Sequence, residues 1–166
     1  MPGLDRELLY RQLENYQIQR HDFLNNFQVI RGYLQLEMPQ KAMDYIDEVM
    51  EGLYYQQMVS KLYNKTMQAI LMCLFFDLRL KGVSMELSFP PEMQEDEFWE
   101  KHWQEEYAQQ FYGYTNECTS LIPFDEDPDN LLVKIELHTY DASFKCRFIL
   151  YNEEEICVDK VFIAGE

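Results

Sequence analysis

Apolar side chains recur along the first part of the chain with an alternating four-three spacing: Leu9, Leu13, Tyr16, Phe23, Phe27, Ile30 and Leu34. Arg20 is the only polar occupant of that series. This is the repeat of a helix that packs along one stripe. The helix is expected to start near Pro2 to Asp5, where proline and an acidic first turn suit an amino terminus, and to run until Pro39. At about 1.5 Å per residue such a rod is on the order of 50 Å long, and it needs a partner along its whole stripe. Glu37-Met38-Pro39 interrupts it, and from Gln40 onward Ala42, Ile46, Val49 and Leu53 fall in line again. A second helix ending near Tyr63-Asn64 is therefore expected to fold back as an antiparallel hairpin. One hairpin leaves a broad face uncovered. A second copy closes it most simply, so the pattern predicts a homodimer built on a four-helix bundle about a two-fold axis.

Past the hairpin the pattern changes. Thr66 is expected to cap a third helix in which Met67, Ile70, Leu71, Leu74 and Leu78 share a face, with Gly82 ending it. Val83, Met85, Leu87 and Phe89 then alternate with Ser84, Glu86 and Ser88, the period of a strand, and Pro90-Pro91 stops it. Glu92 to Tyr112 reads as an acidic helix whose Trp99, Trp103, Tyr107 and Phe111 form a stripe packed on a sheet, a simpler use for them than stacking on bases. Gly113 to Asn130, with Pro123, Asp125-Glu126-Asp127 and Pro128, reads as a loop. Leu131 to His138, Phe144 to Tyr151 and Ile156 to Ile163 alternate again, and short connections at Tyr140-Asp141 and Asn152-Glu153 make them an antiparallel meander. The expected fold class is α+β: a hairpin over residues 1–64, then over 65–166 a small layered domain with helices on one side of a mostly antiparallel sheet. No flexible linker separates the two, so close coupling is expected.

Composition changes this picture in one respect. Of 166 residues 47% are hydrophobic and 15% aromatic, enough for a real core. The formal charge is −16, and it is lopsided: residues 1–65 carry −2 and residues 66–166 carry −14. Affinity for nucleic acid or anionic lipid comes largely from Lys and Arg, so the acidic part argues against both, and against nucleotide binding there; its plainest use is a solubility surface. Cys73, Cys118, Cys146 and Cys157 form no Cys-x-x-Cys pair and read as reduced and mostly buried. Met-Pro-Gly-Leu-Asp-Arg-Glu lacks the basic start and apolar core of a signal peptide, and the longest apolar stretch, Ala69 to Phe76, is too short to span a bilayer. A soluble cytoplasmic protein with no membrane insertion is expected.

Candidate chemistry concentrates at His21, one of three histidines. It lies one residue off the apolar seam, and Gln17, Asn25, Gln28 and Gly32 form a polar stripe down the same side, so the imidazole is expected to point outward. Without a cysteine or second histidine at ligand spacing, a neutral ring nitrogen suits nucleophilic work, with a phosphoryl group as the natural electrophile. Asp22 is a candidate to orient or polarise the ring through its other nitrogen, and Asn25 to hold a water or a phosphoryl oxygen. Arg20 and Arg31 are candidates for contacting phosphoryl oxygens or partner carboxylates, with Gln17 and Gln28 completing a docking face. His102, amid acidic and aromatic residues, and His138, near a strand end, read as structural or surface residues.

The run His-Asp-Phe-Leu-Asn-Asn-Phe-Gln-Val-Ile-Arg-Gly-Tyr-Leu-Gln-Leu from His21 resembles the phosphoacceptor helix of the sporulation initiation phosphotransferase B family, a helix type that also dimerises many sensor histidine kinases. Similarity is closest over residues 17 to 36, extends through the hairpin to about Leu62, and is architectural beyond that. Arg20, His21, Asp22 and Asn25 match the family pattern. The resemblance implies a phosphotransferase of a two-component phosphorelay that passes a phosphoryl group between receiver aspartates of response regulators through phospho-His21. It also implies a homodimeric hairpin and a carboxy-terminal domain like a degenerate histidine-kinase ATPase domain. Mg2+ is expected in the partner receiver, with no cofactor or metal on this chain. A working ATPase domain of that type needs Gly-rich loops, whereas Gly3, Gly32, Gly52, Gly82, Gly113 and Gly165 are isolated. An autonomous ATP-dependent kinase is therefore not expected. Two other readings stand beside this one: a non-enzymatic dimerising module that sequesters response regulators or a sensor kinase, and a relative or fragment of a sensor kinase served by a catalytic domain in trans.

Overall fold

The computed structural model describes residues 2–123 and 127–166; Asp125 and Glu126, read above as loop, lie outside the described residues. The chain is α+β. Helix α1 (Pro2–Gln35) and helix α2 (Pro39–Ser60) form the expected hairpin. Glu37 turns the chain with a positive φ of 59°. Leu36 N–H donates to the Gly32 carbonyl at 3.0 Å and Met38 N–H to that of Tyr33 at 2.9 Å, satisfying carbonyls that the last turn of α1 leaves open. Pro39 opens α2 instead of only ending α1, because a first-turn residue needs no N–H partner.

The hairpin is thinly packed along most of its length. Leu4 and Leu8, near the start of α1, belong to the main core. Beyond Asn15 no residue of α1 is buried, and in α2 only Ala42 and Val59 are. Most of the four-three seam faces away from the rest of the chain, with Leu9, Leu13, Tyr16, Phe27 and Leu34 56–67% exposed, whereas Ile30 is half-buried and Phe23 lines a cavity together with side chains that follow the first helix. Inward positions are instead taken by Leu8, Arg11, Gln12, Asn15, Ile18 and Asp22. Near the hairpin tip the two helices meet through Tyr45, whose hydroxyl donates to Asn26 Oδ1 at 2.7 Å and whose ring lies 6.4 Å from that of Tyr33.

Helix α3 (Lys65–Leu80) is capped by Asn64, not by Thr66: Asn64 Oδ1 accepts from Met67 N–H at 3.0 Å. The two residues compete for the same role, and the side chain one residue before the first turn is the one that reaches its free N–H groups. Gly82, at φ 75°, supplies the left-handed residue past its end, and strand β1 (Ser84–Ser88) follows.

The stretch read as one helix over 92–112 is broken. A single 3-10 turn (Pro91–Gln94) precedes helix α4 (Asp96–His102), Trp103 is extended at φ −119° and ψ 138°, and helix α5 runs from Glu106 to Ser120. The break serves the core: Trp99, Trp103, Tyr107 and Phe111 all surround Phe144, with ring centroids 5.7–6.2 Å away, which one straight helix could not do. The expected loop from Gly113 is helical as far as Ser120, because burial of Tyr114, Thr115 and Cys118 outweighs the cost of one helical glycine.

Strands β2 (Leu131–Tyr140), β3 (Ser143–Asn152) and β4 (Glu155–Ile163) form the predicted meander, turned by Asp141 (φ 47°) and Glu153 (φ 58°). Sheet order is β1-β2-β3-β4, with β1 parallel to β2 and the other pairs antiparallel. A parallel pair needs a crossover, and α4 and α5 supply it. Met85, Leu87, Val133, Ile135, Phe148 and Leu150 face the helices as core. The opposite face carries cross-strand ion pairs, Lys134 with Glu86 at 3.9 Å and Arg147 with Glu136 at 3.9 Å and with Asp159. Its hydrogen bond to Arg147 holds the Asp159 carboxyl below the usual range. Cys73, Cys118 and Cys146 are buried and Cys157 is exposed; burial pushes the Cys118 thiol up to about 11. Among the described residues no helix is long and apolar enough to cross a membrane.

Candidate functional site

The rotation of α1 about its own axis decides which side chains face the rest of the molecule, and it is fixed by a polar lock. Arg11 pairs through Nη2 with Asp77 Oδ1 at 2.6 Å and donates from Nη1 to the Tyr112 hydroxyl at 3.0 Å; Tyr112 in turn donates to Glu7 at 3.0 Å. Gln12 Nε2 donates to the Ala69 carbonyl at 2.9 Å. Burial works against the Arg11 charge, but the hydrogen bond and ion pair with Asp77 outweigh it and hold the guanidinium above its ordinary value. Helices α1, α3 and α5 are thereby tied together.

About three turns past Arg11, on the same side of α1, stands Asp22. Its Oδ2 accepts from Arg79 Nε at 3.2 Å, on the last turn of α3. His21 is exposed beside it. His21, Asp22, Glu14, Gln17, Ile18, Arg79 and Leu80 line one shallow depression where the flank of α1 meets the end of α3.

The polar contact of the His21 ring comes from Asn25, whose Nδ2 lies 3.3 Å from Nδ1. The Asp22 carboxylate does not orient His21 here; it faces α3. Consecutive helical side chains diverge by about 100°, so residues four apart meet whereas neighbours in sequence do not. The Asn25 amide has two faces. Its nitrogen can donate to Nδ1, which leaves the proton on Nε2, or, turned over, its oxygen can accept from Nδ1–H and leave the Nε2 lone pair free. Asn25 is exposed and has room to turn.

Gln17, His21, Asp22 and Asn25 thus lie together. Arg20, Gln28 and Arg31 are exposed along α1 and stand outside the depression. Arg79 and Glu14 are the members that sequence reasoning missed. Arg79 follows Asp77 by two residues on α3, and only the docking of α1 reveals where it points. His102 is stacked on Phe98 at 4.1 Å and lies 2.7 Å from that residue's carbonyl, a structural setting. Among the described residues no three His, Cys, Asp or Glu side chains gather where they could hold a metal ion.

Fold and site together define a helical-hairpin domain, fastened to an α/β layer, that presents a solvent-facing histidine midway along its first helix. A family model described as Sensor_kinase_SpoOB-type, alpha-helical domain matches residues 7–62. The hairpin resembles that type of domain, in keeping with the resemblance read from the residues around His21. The match includes every candidate residue on α1 and stops before α3, so Arg79 and the sheet lie beyond it. No curated protein matches the chain.

Proposed function

We propose that this protein is a histidine phosphotransferase of a two-component phosphorelay, working as a homodimer. Nε2 of His21 attacks the phosphorus of an aspartyl phosphate on a docked response-regulator receiver. The N–P bond forms as the acyl P–O bond breaks, and the receiver's aspartate leaves with that electron pair as a carboxylate. The Nδ1 proton stays on the ring, accepted by the Asn25 oxygen, and the dianionic phosphoryl group rests on an imidazolium. Attack by the aspartate of a second receiver reverses the step. Magnesium is assigned to the receiver's own acidic pocket.

The observation that carries this reading is an exposed His21 on a rigid helix, with an amide at Nδ1 able to set the reactive tautomer. The apolar seam beside it supports dimerisation, since Leu9, Leu13, Tyr16, Phe27 and Leu34 are 56–67% exposed among the described residues. The same unburied seam favours, as a second reading, a non-enzymatic dimerising module that binds and sequesters receivers. Incubation of the full chain with a panel of phosphorylated receivers, without nucleotide, separates the two. The expected result is acid-labile, alkali-stable phosphate on this chain that moves on to a second receiver. Tight receiver binding with no phosphoryl movement across the panel would overturn phosphotransfer in favour of sequestration.

A further inference from the structure

Resting on the phosphotransfer reading, we propose that Arg79 is the cation that receives the phosphoryl group at His21, leaving Asp22 as the group arrives. A transferring phosphoryl group carries about two negative charges and needs a cation at its oxygens. Among the described residues the depression around His21 otherwise holds two carboxylates, those of Glu14 and Asp22, and Arg79 is the only Lys or Arg that lines it. Arg20 and Arg31, the cations on α1 expected to contact phosphoryl oxygens, do not.

The pairing of Arg79 suits an exchange of partners. Its contact with Asp22 uses Nε alone, at 3.2 Å, and the Arg79 side chain is 55% exposed. An ion pair so exposed is weak. The terminal nitrogens of the guanidinium fork can grip two phosphoryl oxygens at once, a stronger arrangement than one bond to one carboxylate oxygen. No covalent bond changes in this step: Arg79 trades a carboxylate for the phosphoryl group, and takes Asp22 back when the group leaves. The site is then composite, with its nucleophile on the hairpin and its cation on α3, and the hairpin alone is incomplete.

The full chain is phosphorylated directly with phosphoramidate, and the growth of the phosphohistidine signal at His21 is followed by phosphorus NMR in wild type, Arg79→Gln, Arg79→Lys and, as a charge control on the outer sheet face, Lys134→Gln. Arg79→Gln is expected to slow phosphorylation about tenfold and to shift the phosphorus resonance, with the melting temperature unchanged. Arg79→Lys recovers only part of the rate, because an ammonium keeps the charge but not the two-pronged grip, and Lys134→Gln matches wild type. Wild-type rate and resonance in Arg79→Gln would overturn the role of Arg79 alone. A wild-type protein that takes no phosphoryl group at His21 would overturn the phosphotransfer reading along with it.

Discussion

Phe144→Ala is expected to destabilise the protein by about 3–5 kcal/mol, the range for removing a fully buried aromatic side chain. Phe144 has no exposed surface, and the rings of Trp99, Trp103, Tyr107, Phe111 and Phe162 lie around it within 6.2 Å. Those five come from α4, the extended link, α5 and β4, so the vacated space cannot be closed by moving one element. Against a typical domain stability of about 5–15 kcal/mol, the loss consumes a large share of what is available. Urea unfolding followed by tryptophan fluorescence checks it, since both tryptophans pack at this site. A change below about 1 kcal/mol would mean that the ring is not the centre of the core.

Leu13→Glu combined with Phe27→Glu is expected to convert the proposed dimer into a monomer, weakening association at least a thousandfold, about 4 kcal/mol. In the single chain these side chains are 56% and 67% exposed, so the fold itself has little to lose. In a bundle about a two-fold axis each substitution appears twice and puts four carboxylates where apolar side chains would be buried at about 1.5–3 kcal/mol each. Sedimentation equilibrium gives the association constant and circular dichroism checks that the monomer keeps its helices. A wild-type chain that remains monomeric at high micromolar concentration would remove the dimer from the account.

What the sequence made legible is what repeats locally. Periods of 3.6 and 2 placed the hairpin, α3, β1 and the meander, and the i, i+4 relation placed Asn25 beside His21. The rest depended on distant contacts. The extended Trp103 follows from the need to wrap Phe144, which arrives on β3. Helical continuation past Gly113 follows from a core that only the assembled sheet supplies. Adjacency in sequence suggests pairing Asp22 with His21, whereas on a helix adjacent side chains point to different neighbours and Asp22 faces α3. Its true partner, Arg79, is 57 residues away, and no pattern around Arg79 hints at the contact. The acidic surplus of residues 66–166 is legible as a total, whereas the cross-strand pairing of Glu86, Glu136 and Asp159 with Lys134 and Arg147 on the open sheet face needs the register.

The central claim is that His21 carries a phosphoryl group in transit. Its most direct test exposes wild type and His21→Ala to a phosphorylated receiver and locates the label by mass spectrometry under alkaline conditions. The account predicts phosphate on His21 alone in wild type and none in His21→Ala, with receiver binding retained. Label that persists in His21→Ala, or that sits on His102 or His138, would contradict it.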